Sequence, residues 1–211
     1  MSAAETVRTL VAWTPWLLGG FAWNIAISLT AQTIGTLVGY LLALARTSRR
    51  VALARATAVV TELMRNTPTF VFQFYLVFML PARLTMPFDL PSVAFPSWLK
   101  AALALSLAVA GFTSDCLTDA LSRHPGEQRQ ALARFLPVWS SYFVIIVMAS
   151  SVASVIGVSE LVSRCNTVIN ASGTTDMMLW VYLYAMAWFF VFCFCATRLI
   201  RAASKNAHRR R

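Results

Sequence analysis

Charge is the scarcest commodity in this sequence. Of 211 residues only 12% are Asp, Glu, Lys or Arg, and just 8 are acidic, whereas soluble domains run near a quarter charged. So little charge cannot cover a water-soluble surface, and most of the exterior must therefore face lipid. Histidine is nearly absent as well. His124 and His208 stand apart in basic segments, which leaves no imidazole cluster for a metal or for acid–base chemistry. There is no P-loop, no HExxH and no GxSxG with suitable partners, so neither enzymatic activity nor ATP hydrolysis is expected of this chain. Cys116, Cys165, Cys193 and Cys195 form no CxxC pair. They read as small buried apolar side chains rather than as redox or metal ligands. Internal repeats and low-complexity tracts are missing. So is a basic region at the N-terminus, and no cleavable signal peptide is expected.

What remains is apolar: 58% of the chain. Runs of membrane-spanning character lie at roughly 16–45, 67–82, 97–118, 138–158 and 178–200, the length that a hydrocarbon core of about 30 Å demands. The second run extends upstream through 51–64, as one helix continuing along the membrane surface, so that 51–82 forms one unit. The expectation is an all-α integral membrane protein, a single domain over 1–211 with about five transmembrane helices. The four prolines between Pro81 and Pro96 suit a short outer linker, and Ser163–Asp176, rich in Asn and Ser, reads as a second outer loop.

The net charge of +10 would suggest nucleic acid on a soluble domain. Here the basic residues sit in short loops, so nucleic acid is not expected and the charges set topology instead. Fourteen lie after the first, third and fifth spans or at the adjoining helix starts, against four on the other side: Arg8, Arg83, Lys100 and Arg164. The positive-inside rule then puts the N-terminus outside and the C-terminus in the cytoplasm. Trp13, Trp16, Trp98, Trp139 and Trp180 fall near span ends, as interfacial anchors should.

Three ordered stretches carry a resemblance. Glu62-Leu-Met-Arg65-Asn66-Thr67-Pro68 opens the second span. Gly19-Gly20, Asn24-Ile-Ala-Ile-Ser-Leu29, Gly35, Gly39 and Ala43-Leu-Ala-Arg46 mark the first. Ser151-Val-Ala-Ser-Val-Ile-Gly157-Val-Ser-Glu160-Leu161 ends the fourth. Together they resemble the permeases of ABC importers for polar amino acids, whose second helix opens on Glu-x-x-Arg-Gly-Thr-Pro and whose fourth ends on Ser-Val-Ile-Gly-Val-x-Glu-Leu. The resemblance covers nearly the whole chain. It implies a type I permease fold in a bacterial inner membrane, working with a second permease subunit, ABC ATPase subunits and a periplasmic or extracellular substrate-binding protein. ATP and Mg would be bound by the ATPases, so no cofactor and no metal is expected here. Arg65, Pro68 and Gly157 match the family's motifs as structural positions.

Two departures stand beside the matches. The family carries a long EAA loop between its third and fourth spans, with a short helix that docks on the ATPase. In this chain Gln130-Ala-Leu-Ala-Arg-Phe-Leu-Pro137 matches what normally follows that helix, so about two helical turns or more are missing. Gly126, Glu127, Gln128, Arg129 and Gln130 are a candidate vestige of the loop. Secondly, the family's Lys-Asp-Thr-Ser is Met148-Ala149-Ser150-Ser151 here, two charges having become neutral.

Polarity and motif position nominate Thr67, Asp115, Ser150, Ser151, Ser154 and Glu160 as substrate-pathway residues. Backbone or helix–helix hydrogen bonds are the plainer role for each serine. Asp115, an acid at membrane depth, is a functional candidate by default, and an ion pair with Arg65 or Arg123 is the competing reading. Arg65 has a further candidate partner in Glu62, three residues earlier on the same face. The expected function is half of a translocation pathway for a polar amino acid or related solute, as the degenerate member of a heterodimer whose partner keeps its EAA loop. The alternative is a non-transporting scaffold or regulatory subunit retaining the permease fold. A small secondary transporter fits less well, since no inverted repeat is present.

Overall fold

The computed structural model describes residues 3–84, 93–123, 128–173 and 175–209. Seven α-helices run in the order α1 (Ala3–Arg46), α2 (Val51–Asn66), α3 (Thr69–Met79), α4 (Ser97–Arg123), α5 (Gln128–Ala149), α6 (Leu161–Ser172) and α7 (Asp176–Arg209). A 3-10 helix, Ser150–Ile156, continues α5. A pair of two-residue antiparallel strands, Arg83–Leu84 and Val93–Ala94, lies between α3 and α4.

Among the described residues, four helical stretches are long and apolar enough to cross a membrane: Ala4–Arg46, Ser97–Arg123, Arg129–Ile156 and Asp176–Ser204. The fifth apolar run is the shorter helix α3. At 1.5 Å per residue the 44 residues of α1 span about 66 Å, roughly twice a ~30 Å hydrocarbon core, so its ends extend beyond the apolar slab.

α1 is the wall that both halves of the molecule share. Its buried positions Leu17, Asn24, Ile27, Ser28, Ala31 and Gln32 recur at helical spacing on one face. Towards its C-terminus, Ile27 and Ala31 pack with Ala101, Ala102, Leu105 and Val109 of α4, Ile146 of α5, and Ala153 and Ile156 of the 3-10 segment. Towards its N-terminus, Leu10 and Leu17 pack with Leu161, Cys165 and Val168 of α6 and Met177, Val181 and Ala185 of α7. α1 and α4 approach backbone to backbone: a Cβ on Gly39 would stand 2.6 Å from the Ala110 carbonyl oxygen and 2.6 Å from Thr113 Cβ. Small residues permit that approach, in the manner usual between membrane helices.

Three sequence expectations change. Residues 51–64 and 67–82 are not one helix. α2 ends at Asn66, Thr67 and Pro68 take extended backbone, and α3 begins at Thr69. Proline disfavours helix in the residue before it and offers no N–H to the preceding turn. Residues 163–176 are not a loop either, because most of them form α6. Polar composition suggested a loop, but Leu161, Cys165 and Val168, spaced four and three apart, are fully buried and anchor a helix. Finally, the apolar run 138–158 is helical from Gln128 and tightens to 3-10 geometry from Ser150.

Candidate functional site

Two of the candidate residues, Ser150 and Glu160, meet at one point, around Asn24. Asn24 Nδ2 donates to Ser150 Oγ at 3.0 Å and to Glu160 Oε2 at 2.9 Å. Its Oδ1 accepts the Leu161 N–H at 3.1 Å. Asn24, Ser150 and Glu160 are each 0% exposed, so α1, the 3-10 segment and the start of α6 are fastened by one amide.

Glu160 also caps α6: its carboxylate accepts from Val162 N at 3.1 Å and Ser163 N at 2.9 Å, satisfying donors that a helix start leaves open. Burial pushes the Glu160 carboxyl up from its ordinary range, while the hydrogen bonds from Asn24, Ser163 and Val162 pull it the other way. The chain can reach this arrangement because Gly157 turns it sharply at φ +81°, a left-handed conformation that costs glycine little. Burial also pushes the nearby Cys165 thiol up to about 12, which suits an inert, packed cysteine.

Ser150 donates to Val147 O, Ser151 to Met148 O and Ser154 to Ser151 O. Each is thus partnered within its own helix, as the plainer reading of the serines expected. Ser150 is buried, whereas Ser151 and Ser154 are half-buried. Thr67, at the α2–α3 break, is half-buried and donates to Leu63 O at 2.6 Å.

Asp115 lies far from this knot in sequence and in partners. It bridges Arg46 of α1 and Arg65 of α2, with oxygen–nitrogen distances of 2.5 and 2.6 Å. The competing ion-pair reading therefore holds for Arg65, with Arg46 as an unforeseen second partner. Arg123 pairs with Asp119 instead, one turn back on its own helix. The pairing of Arg65 with Glu62 is replaced by Asp115, which α4 presents to α2 where Gly111 packs against the Arg65 backbone. Of the candidate vestige, Gly126 and Glu127 lie outside the described residues, while Gln128, Arg129 and Gln130 open α5.

Sequence reasoning missed several polar groups. Lys100, 5% exposed, donates to the Leu80 carbonyl at 2.6 Å and so holds the C-terminal end of α3, where a cation is favourable. Gln73 of α3 is 1% exposed, with neither amide atom hydrogen-bonded among the described residues. Its signal in the sequence was a lone amide inside an apolar run. Arg164 donates to Trp16 O at 2.6 Å and lies over the Trp16 ring, 4.2 Å from its centre.

No protein-family model matches the chain. Over 94% of its length it superposes on 97% of a chain from the crystal structure of an amino acid ABC transporter with histidines, with a TM-score of 0.80 at 19% identity. The fold is that of a type I ABC importer permease. A chain of the methionine ABC transporter MetNI, in inward-facing conformations, matches with a TM-score of 0.59 at 15% identity, covering 96% of this chain and 99% of that one. In sequence, the chain is 25% identical over 218 residues to the L-cystine transport system permease protein TcyB of Bacillus subtilis, covering 90% of this chain and 89% of TcyB. It is 28% identical over 184 residues to the glutamate/aspartate import permease protein GltJ of Escherichia coli, covering 74% of each. Both relatives are named as permeases, the membrane subunits of their transport systems.

Proposed function

We propose that this chain is one permease subunit of an ABC importer for a polar amino acid or a related small polar solute. The observation that carries the reading is the match along nearly the whole chain to a permease named for L-cystine transport. A second relative, named for glutamate/aspartate import, supports a substrate bearing both amino and carboxyl groups. The chain supplies helices that line half of a pathway, and its partners are ATPases that bind ATP, a substrate-binding protein and a second permease. The N-terminus lies outside and the C-terminus in the cytoplasm, a reading supported by the fourteen-to-four split of basic residues.

Within the pair this chain is the degenerate member, its partner keeping the EAA loop that docks on the ATPase. The short interval between α4, ending at Arg123, and α5, beginning at Gln128, supports that reading. So does the uncharged Met148-Ala149 pair. Among the pathway candidates, Thr67, Ser151 and Ser154 keep partial exposure, which suits a lining role. Ser150 and Glu160 hold the knot around Asn24, and Asp115 holds α2. Gln73 joins the lining candidates, because a desolvated amide without a partner is satisfied by a polar solute or by water.

The test is to express the chain with the permease, ATPase and binding-protein genes beside it, purify the complex through this chain, and reconstitute it. ATP-dependent uptake of a radiolabelled amino acid, with ATPase and second permease recovered together, is the expected result. Recovery of the chain without either partner sinks the permease reading. Uptake that persists when Ser151 and Ser154 are both changed to Trp moves the chain to a non-transporting scaffold.

A further inference from the structure

α5 and α7 part at the end where the basic residues gather. Between them lies a cleft of about 720 Å³, and most of its lining is apolar: Leu132, Ala133, Leu136 and Pro137 from α5, with Leu199 and Ile200 from α7. Pro137 stands inside α5. It brings no N–H for the Ala133 carbonyl one turn back, and a proline within a helix bends it. Both residues line the cleft. Arg129, which also lines it, makes no ion pair among the described residues. Arg134 and Arg201, exposed and next in sequence to the lining residues Ala133 and Ile200, make none either among the described residues.

We infer that this cleft holds an anionic phospholipid, with an acyl chain along Leu132, Leu136, Leu199 and Ile200 and its headgroup phosphate at Arg129. Two features select the occupant. The walls belong to spans long and apolar enough to cross the bilayer, so hydrocarbon rather than water is the medium available to fill an apolar space. Among the described residues no acid pairs with the arginine at the mouth, and basic pockets between membrane helices attract anionic headgroups. A zwitterionic lipid would fill the same walls without answering that charge. Because it depends only on the helices and their charge, the site stands whether or not the chain proves to be an importer subunit.

The experiment measures the thermal unfolding midpoint of the full chain in detergent while mixed micelles of phosphatidylglycerol or phosphatidylcholine are titrated in. Phosphatidylglycerol is expected to raise the midpoint saturably and phosphatidylcholine much less. Arg129→Gln should weaken the apparent phosphatidylglycerol affinity roughly fivefold, the weight of one basic side chain near an anionic surface. Arg50→Gln, at an exposed arginine just before α2, should leave that affinity unchanged. Ala133→Phe, which fills the cleft, should remove the phosphatidylglycerol-specific gain; Ser140→Trp serves if that variant fails to fold. Equal responses to the two lipids overturn the proposal, as do equal losses in Arg129→Gln and Arg50→Gln, which would mean diffuse attraction. A change of oligomeric mass on filling the cleft, measured by light scattering, overturns it in favour of a second copy.

Discussion

Asn24 uses both amide protons and its carbonyl oxygen on groups from other parts of the chain: Ser150, Glu160 and the Leu161 N–H. Replacing it by Leu leaves the buried Leu161 N–H without its acceptor and takes a donor from Ser150 and from Glu160, which keep their partners at Val147, Val162 and Ser163. A buried group left without its partner costs about 1–3 kcal/mol, so Asn24→Leu should lower stability by at least that much, read from thermal unfolding in detergent. A double-mutant cycle of Asn24→Ala with Glu160→Ala should then return a clear coupling energy, and strict additivity would rule out the knot. Gln73 poses the reverse case. Its amide is already unpartnered, so Gln73→Leu should raise the unfolding midpoint while lowering solute uptake. A lower midpoint would mean that the amide is satisfied after all. Asp115 is a milder site, since Arg65 is 63% exposed and solvent screens that half of the bridge. Asp115→Asn should cost about 1 kcal/mol and speed hydrogen exchange in 51–66 more than elsewhere.

At the scale of the element, what a sequence tells depends on whether a segment's neighbours resemble it. α1, α4, α5 and α7 announce themselves, because lipid demands long apolar runs whatever the runs pack against. α6 did not. Its fully buried stripe is only Leu161, Cys165 and Val168, with Ile169 packed beside it, and Ser, Arg, Asn and Thr fill most of its other positions, so its helicity rests on tertiary contact and on the Glu160 cap. Glu160→Ala should accordingly release the first turn of α6, at about 0.5–2 kcal/mol, seen as lost exchange protection at Val162 and Ser163. The break at Thr67-Pro68 was legible as a proline but not as a boundary between two separate helices. Lys100 was legible as a charge, yet its carbonyl partner lies on α3, and no local pattern links them. The site divides in the same way: motif matching found Ser150 and Glu160, and only the fold shows that Asn24 joins them.

Over the whole molecule, the halves on either side of α1 are unequal. In α4 61% of the most apolar window is buried inside the chain, against 11% in α7. α7 turns Leu179, Met186, Phe190 and Leu199 outward, towards lipid or a partner subunit. Protection should therefore be graded: in native-state hydrogen exchange on the isolated chain, α6 and α7 open at a lower free energy than α1 and α4. Assembly with a second permease that covers α7 would narrow that gap. A uniform opening energy across all four helices would contradict the two-cluster core.

The shared wall also sets a timetable for biogenesis. Asn24 is synthesised early, and its three partners follow it by 126, 136 and 137 residues. At ribosomal speeds of about 5–20 residues per second, α1 waits roughly 6–30 s before its amide can be met. Through that interval a helix carrying Asn24, Ser28 and Gln32 on one face can pack on α2, α4 and α5, but the three groups that meet the Asn24 amide have not yet been made. Newly made α1 is thus a natural client for an insertase or intramembrane chaperone that shelters polar faces. A nascent chain stalled before Ser150 should be held there, and one released after Leu161 should not.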